Sequence, residues 1–193
     1  MARPRTHDES LRTRLLEEAS HVIASSGPQG LSLRGVAGSA QTTTAAVYSL
    51  FGGRNALIQA VVEEGFRRFG DALADVSHTA DPGADLLALG VAYREFALAD
   101  PHFYRIMFDA LDETFDRPAT PVSPTFLVLR AAVARALGVP DDRGSAEQAA
   151  LRIWALAHGL VSLELNGLIP GDDAARHRDY VETLRSARGM VSG

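Results

Sequence analysis

Cysteine is absent from this 193-residue chain, and so is lysine. Without cysteine there are no disulfides, no thiolate metal ligands and no redox thiol. All 19 basic residues are arginine, a bias that carries no functional reading of its own. No apolar run approaches the roughly eighteen residues that suggest a membrane span. The opening MARPRTHDES is basic but lacks the apolar core of a secretory signal. A cytoplasmic protein without membrane contact is the expectation. Strand-like alternation of useful length is missing as well, which leaves helices as the only periodic elements. Catalytic signatures are equally scarce: no nucleophile elbow and no phosphate-cradling glycine loop surround the Ser, His and acidic residues. A carboxylate metal site in a helical bundle needs two Glu-x-x-His pairs, and the chain has one, Glu18 with His21. Neither an enzyme nor a bound metal or cofactor is expected.

What is present is an ordinary globular composition, 46% hydrophobic and 22% charged, with an uneven distribution of charge. The formal net charge is −5, yet residues 1–55 hold six Arg against four acids, and the remainder holds thirteen Arg against twenty. Such asymmetry orients a chain on a polyanion by its basic end. Residues 1–8 read as a basic arm in which Arg3 and Arg5 either follow DNA or form a solvated tail. A helix is expected from about Glu9 to Ser26, with Leu11, Leu15, Ala19, Val22 and Ile23 on one face and Gly27-Pro28 at its end.

The stretch from Ser32 to Leu57 carries the functional signal. Ser32 is placed to N-cap a short helix whose Leu33, Val36 and Ala37 share one face. The pattern breaks at Ala40-Gln41-Thr42. Thr43 then caps a second short helix that buries Ala46, Val47, Leu50 and Phe51. Its other side offers Thr42, Thr44, Ala45, Tyr48 and Ser49, slim or hydrogen-bonding residues suited to a DNA major groove. Gly52-Gly53 ends it, and Arg54 opens the next helix.

Read together, Tyr48, Phe51, Gly52-Gly53, Arg54 and Leu57 resemble the helix-turn-helix of the tetracycline-repressor (TetR) family of bacterial transcriptional regulators. Two positions depart from that pattern: Gln41 stands where the turn usually has Gly, and Leu50 where a His is common. The resemblance implies an all-α fold of about nine helices. Residues 1–53 would form a three-helix DNA-binding domain, and residues 54–193 a ligand-binding and dimerisation bundle. It implies DNA contacts from Arg3, Arg5, Ser32, Thr42, Thr43, Thr44, Ala45, Ala46, Tyr48, Ser49 and Arg54. Tyr48 would give its hydroxyl to a phosphate, Arg54 would add charge, and Ala and Thr methyls would meet thymine methyls. The bland alternative, a Thr- and Ala-rich helix of an unrelated bundle, leaves this set of features unexplained.

Beyond Arg54 the apolar spacing predicts helices over about 54–77, 84–99, 102–108, 125–137, 145–168 and 172–191, with a loop at 109–121. The helix starting at Ser145 is apolar nearly all round and needs cover on both sides. Within it Trp154, His158 and Gly159 resemble the Trp-His-Gly type of C-terminal domain in the same family. That resemblance implies a homodimer through the last two helices, with Ala155, Gly159, Ser162 and Leu163 at the interface. Phe66, Tyr93, Phe96, Phe103, Tyr104, Met107 and Trp154 fall in the helices that enclose the family's effector cavity. As a set they imply a pocket for a small hydrophobic ligand, whereas each alone reads as core. His158 is either a polar anchor in that pocket or a hydrogen-bonded structural residue. The expected function is a ligand-responsive regulator, a repressor that binds a palindromic double-stranded operator as a dimer. The alternative is a helical sensing and dimerisation module that no longer binds DNA.

Overall fold

The structure is a computed structural model that describes residues 5–108, 124–141 and 144–191, with side chains from 8 to 187 among these. Arg3 and the segment 109–121 lie outside the described residues, as does the side chain of Arg5. The described residues form helices α1 (Arg5–Ser26), α2 (Leu33–Ser39), α3 (Thr44–Phe51), α4 (Arg54–Ala74), α5 (Pro82–Ala99), α6 (Pro101–Phe108), α7 (Pro124–Leu137), α8 (Ser145–Leu165) and α9 (Asp173–Val191). A single 3-10 turn, Pro28–Gly30, follows α1, and no strand occurs among the described residues. The fold is all-α.

Three boundaries differ from the periodicity by three residues or more, each for a local reason. Helix α1 begins at Arg5, ahead of the expected Glu9, with Asp8 in its first turn where a negative charge favours the helix dipole. Helix α4 stops at Ala74, before the expected Ser77, because the N–H of Val76 already turns back to the Leu73 carbonyl. Helix α8 stops at Leu165: Gly167 has φ of 69°, and the N–H groups of Gly167 and Leu168 bond the carbonyls of Glu164 and Leu163.

The chain forms two compact units, Met1–Arg68 with Asp100–Arg117, and Phe69–Ala99 with Pro118–Gly193. The division falls inside α4, so that helix belongs to both. In the first unit Leu15, Leu16 and Ile23 of α1, Val36 and Ala37 of α2, Val47 of α3, and Leu57, Ile58 and Val61 of α4 share one core with Phe103 and Ile106 of α6. Packing of α6 against α1 is why residues 101–108 join this unit. The guanidinium of Arg68 is the polar tie. It donates to Glu17 of α1 at 2.5 Å, Glu64 of α4 at 2.8 Å and Asp100 at 3.1 Å, and its carbon lies 4.3 Å from the Phe103 ring centre.

Glu64 also accepts two bonds from Arg67, at 2.7 and 2.8 Å. Those bonds, helped by Arg68, outweigh partial burial and hold its carboxyl at about 2, against an ordinary 4.5. A carboxyl depressed in the folded state contributes stability above its unfolded value, and that contribution disappears as the carboxyl protonates. Stability is therefore expected to fall as pH drops from about 4.5 toward 2. Glu64→Gln should be less stable at pH 7 and flatten this slope in urea unfolding at a series of pH values. An unchanged slope would remove Glu64 from the account.

In the second unit α5 packs against α7, α8 and α9, α7 against α8, and α8 against α9. Arg94 of α5 is 3% exposed and sits within an ion network. Its Nε and Nη2 donate to the two carboxylate oxygens of Glu164 on α8 at 2.8 and 2.6 Å, and Nη2 also donates to Asp173 of α9 at 2.8 Å. Arg176 adds a bond to Glu164 at 3.1 Å. The hydroxyl of Tyr180 donates to the Gly90 carbonyl at 2.8 Å, and burial pushes that phenol well above its ordinary value. Among the described residues no helix is long and apolar enough to cross a membrane.

Candidate nucleic-acid interface

Two capped helices and a tight turn build the candidate interface. Ser32 Oγ accepts from the Gly35 N–H at 3.3 Å, and Thr43 Oγ1 from the Ala46 N–H at 3.2 Å. Each satisfies one of the backbone donors that a helix start leaves unpaired. Between them α2 ends in a double reverse bond, Gln41 N–H to the Gly38 carbonyl and Thr42 N–H to the Ala37 carbonyl, at 3.0 and 2.8 Å.

That motif requires a left-handed residue, and Gln41 takes it with φ of 55°. Gln41 thus adopts the backbone conformation that a glycine would supply here. The left-handed well costs a non-glycine residue about 1–2 kcal/mol, part of which glycine would return as greater freedom of the unfolded chain. Gln41→Gly is expected to leave stability unchanged or raise it by up to about 1 kcal/mol. Gln41→Val should lower it by about 1–2 kcal/mol, since a β-branched side chain fits this region worst. Thermal melts of the two variants check this; a destabilised glycine variant would contradict it.

Helix α3 is anchored by Val47, which is fully buried, with Ala46, Leu50 and Phe51 packed against the core. Leu50 is thus a packing residue. The opposite side faces outward: Ala45, Tyr48 and Ser49 are exposed, with Tyr48 at 54%, and Thr42 and Thr44 are half-buried. Gly52, left-handed at φ of 83°, ends the helix by donating to the Tyr48 carbonyl. The Arg12 guanidinium of α1 lies 5.5 Å from the centre of the Phe51 ring and covers that end.

Arg54 opens α4, as expected. It is half-buried, donating from Nε to the Leu31 carbonyl at 3.0 Å and from Nη2 to the Pro28 carbonyl. Two of its three guanidinium nitrogens are thus engaged within the protein. Arg34, not among the expected contacts, is exposed on α2. Its signal was its position off the Leu33–Val36–Ala37 face of a capped helix.

The eight residues expected to line a ligand pocket fall into both units. Phe66, Phe103, Tyr104 and Met107 belong to the first, where Phe103 and Tyr104 are almost wholly buried and Phe66 packs against the core. The second unit holds Tyr93, Phe96, Trp154 and His158. There the Tyr93 hydroxyl and His158 Nδ1 are 2.9 Å apart, and the Trp154 ring lies 6.4 Å from His158 and 5.8 Å from Phe126. Phe69 meets both Tyr93 and Phe96, at 5.3 and 5.2 Å. A separate pocket of about 90 Å³ between α8 and α9, lined partly by Leu160, Glu164 and Tyr180, is too small for an ordinary ligand. Ala155 and Leu163 of α8 are exposed, Gly159 and Ser162 half-buried, and a Cβ added to Gly159 would meet nothing within 4 Å.

The profile described as "Tetracyclin repressor-like, C-terminal domain" matches residues 86–186, more than half of the chain. That match carries no Trp-His-Gly designation. The chain matches no curated protein. Among solved structures, the regulatory protein SCO4313 is 27% identical with a TM-score of 0.71, over 95% of this chain and 98% of that one. A TetR-like transcriptional regulator from Rhodococcus sp. RHA1 is 16% identical with a TM-score of 0.69, over 100% of both chains. A TetR-family transcriptional regulator from Streptomyces coelicolor is 21% identical with a TM-score of 0.64, over 94% and 99%. At those last two identities the likeness is one of fold. Together, the C-terminal match and the capped helix-turn-helix ahead of it establish that the chain belongs to the tetracycline-repressor family of transcriptional regulators.

Proposed function

We propose that the chain is a ligand-released repressor that works in the cytoplasm and binds a palindromic operator as a homodimer. Residues 1–53 serve as the reader and residues 54–193 as the sensing and pairing part. The observation that carries this reading is the outward face of α3. Thr44, Ala45, Tyr48 and Ser49 stand on a helix fixed by a buried Val47 and a side-chain cap. Residues short enough for close backbone approach, beside an exposed phenol, suit base edges and phosphates in a major groove. Thr42, Thr43, Ala46, Ser32 and the arm with Arg3 and Arg5 complete the contact set. The two departures from the family pattern do not favour a module without DNA binding, since Gln41 keeps the turn and Leu50 packs inward.

Pairing is assigned to α8 and α9. Leu163 is 45% exposed and Leu168 68%, and Ala155, Gly159 and Ser162 allow another helix to come close. The effector is assigned to the aromatic set Tyr93, Phe96, Trp154 and His158, and it is hydrophobic with one polar group for the Tyr93–His158 pair. Release requires the ligand to favour the conformation that does not bind DNA, since equal affinity for both shifts nothing. Helix α4, shared by both units, is the element able to carry the change. Trp154 is the only tryptophan, so its fluorescence reports ligand binding directly in a screen of hydrophobic compounds.

Fluorescence anisotropy tests the DNA reading, with labelled duplex from upstream of the protein's own gene against random duplex of equal length. The expected preference is about a thousandfold or more. Tyr48→Phe should weaken binding to the upstream duplex roughly tenfold or more per reading helix, the worth of one hydrogen bond to a charged phosphate. Its thermal midpoint should not move, because Tyr48 is exposed. Equal binding to both duplexes, in the wild type, would count against the reading.

A further inference from the structure

Arg54 is the first residue of α4, and the chain reaches it through Gly52 and Gly53, both with positive φ. Its guanidinium spans 23 and 26 residues of sequence to two carbonyls, those of Leu31 and Pro28. Pro28 opens the 3-10 turn that follows α1, and Leu31, 3% exposed, caps that turn and is followed at once by Ser32, the cap of α2. The Pro28 carbonyl also accepts the Leu31 N–H at 3.1 Å. One planar cation therefore joins the end of α1, the start of α2 and the start of α4. A carbonyl in a loop has no helical partner, and a guanidinium edge meets two of them at once, which a lysine ammonium on its flexible stem does not reproduce.

We propose that Arg54 is a positioning residue of the reader. It fixes the angle at which α2 and α3 leave α4, and it does not spend its charge on a DNA phosphate. The part concerning DNA rests on the proposed function, in which the α3 face meets the duplex; the part concerning the helices does not. Because the same clasp holds α4, a displacement of α4 is delivered to the reading helix through the Pro28 and Leu31 carbonyls.

Arg54→Gln and Arg54→Lys are compared with the full-length wild type in two measurements, after circular dichroism has established that each is folded. The first is hydrogen exchange of the free protein. Amides over 33–51 should lose protection at least tenfold in both variants, while those of α8 and α9 stay as in the wild type. The second is the salt dependence of binding to the upstream duplex. Both variants should bind at least tenfold more weakly with an unchanged log–log slope. A slope shallower by about 0.9 per lost phosphate contact in Arg54→Gln, with Arg54→Lys equal to wild type, would overturn the proposal. Wild-type exchange in both variants would overturn it too. If the wild type prefers neither duplex, the DNA reading fails, and the exchange result still decides whether Arg54 holds the helices.

Discussion

Replacing Arg94 with methionine is expected to lower the unfolding free energy by about 3–5 kcal/mol, because it leaves a buried carboxylate without its main partner. Glu164 has a side chain 5% exposed, and Arg94 gives it two parallel bonds. Arg176 keeps one bond to Glu164 in the variant, which favours the lower end of the range. Asp173 is 74% exposed on its side chain and loses little, since water replaces the missing cation. The carboxylate penalty also predicts a recovery. Arg94→Met with Glu164→Met replaces the buried pair by apolar side chains and should return to within about 1 kcal/mol of wild type. Urea unfolding at fixed protein concentration measures both as shifts of midpoint at constant slope. A loss under about 1 kcal/mol in the single variant would mean that water reaches the network. The network also ties three helices: α5 supplies Arg94, α8 Glu164 and α9 Asp173 with Arg176. Its failure should loosen the helices assigned here to pairing, so the variant is also expected to dissociate at lower dilution in sedimentation.

Phe103→Ala is the second large effect, with an expected loss of about 3–5 kcal/mol. The ring is completely buried in the core of the first unit, between α1 and α4 residues, with the Arg68 guanidinium over its face. Truncation opens a cavity there and removes the surface on which Arg68 rests while it holds Glu17, Glu64 and Asp100. A wall residue of an effector pocket would behave otherwise: its truncation would alter ligand affinity and leave the thermal midpoint nearly untouched. Trp154→Phe provides the contrast. Trp154 is half-buried beside Phe126 and His158, so the change should cost less than half as much stability as Phe103→Ala. If Phe103→Ala melted as the wild type does, Phe103 would return to the ligand set.

Local features were legible in the sequence to the degree that their causes are local. The spacing of Leu11, Leu15 and Ala19, or of Leu57, Val61 and Ile58, dictates a buried face whatever the rest of the chain does. Ser32 and Thr43 announce helix starts because a cap bond spans three residues. Gln41 was readable as a departure but not as a harmless one, since only the backbone shows that it accepts φ of 55°. What stayed hidden was long-range. Nothing near Arg54 says that two loop carbonyls able to accept from it lie more than twenty residues back, and an Arg at a helix start on a DNA-binding domain reads naturally as a phosphate contact. Arg94 and Glu164 are 70 residues apart in sequence, each on a helix rich in apolar residues. A charge in such surroundings signals that a partner exists without naming it. The division of the aromatic residues between the two units was hidden for the same reason: their helical spacing is identical whether they wall a pocket or fill a core. Packing of α6 on α1 puts Phe103 and Ile106 in the core of the first unit.

Sequence-specific recognition of an operator is the central claim, and selection from sheared genomic DNA by the purified protein, followed by sequencing of the bound fragments, tests it most directly. The account predicts fragments sharing an inverted repeat, with half-sites separated by about one turn of the duplex or a multiple of it. The enrichment should be lost when the outward face of α3 is altered at half-buried Thr44 and exposed Tyr48 together. Bound fragments without a shared motif, recovered equally by the wild type and that double variant, would contradict it.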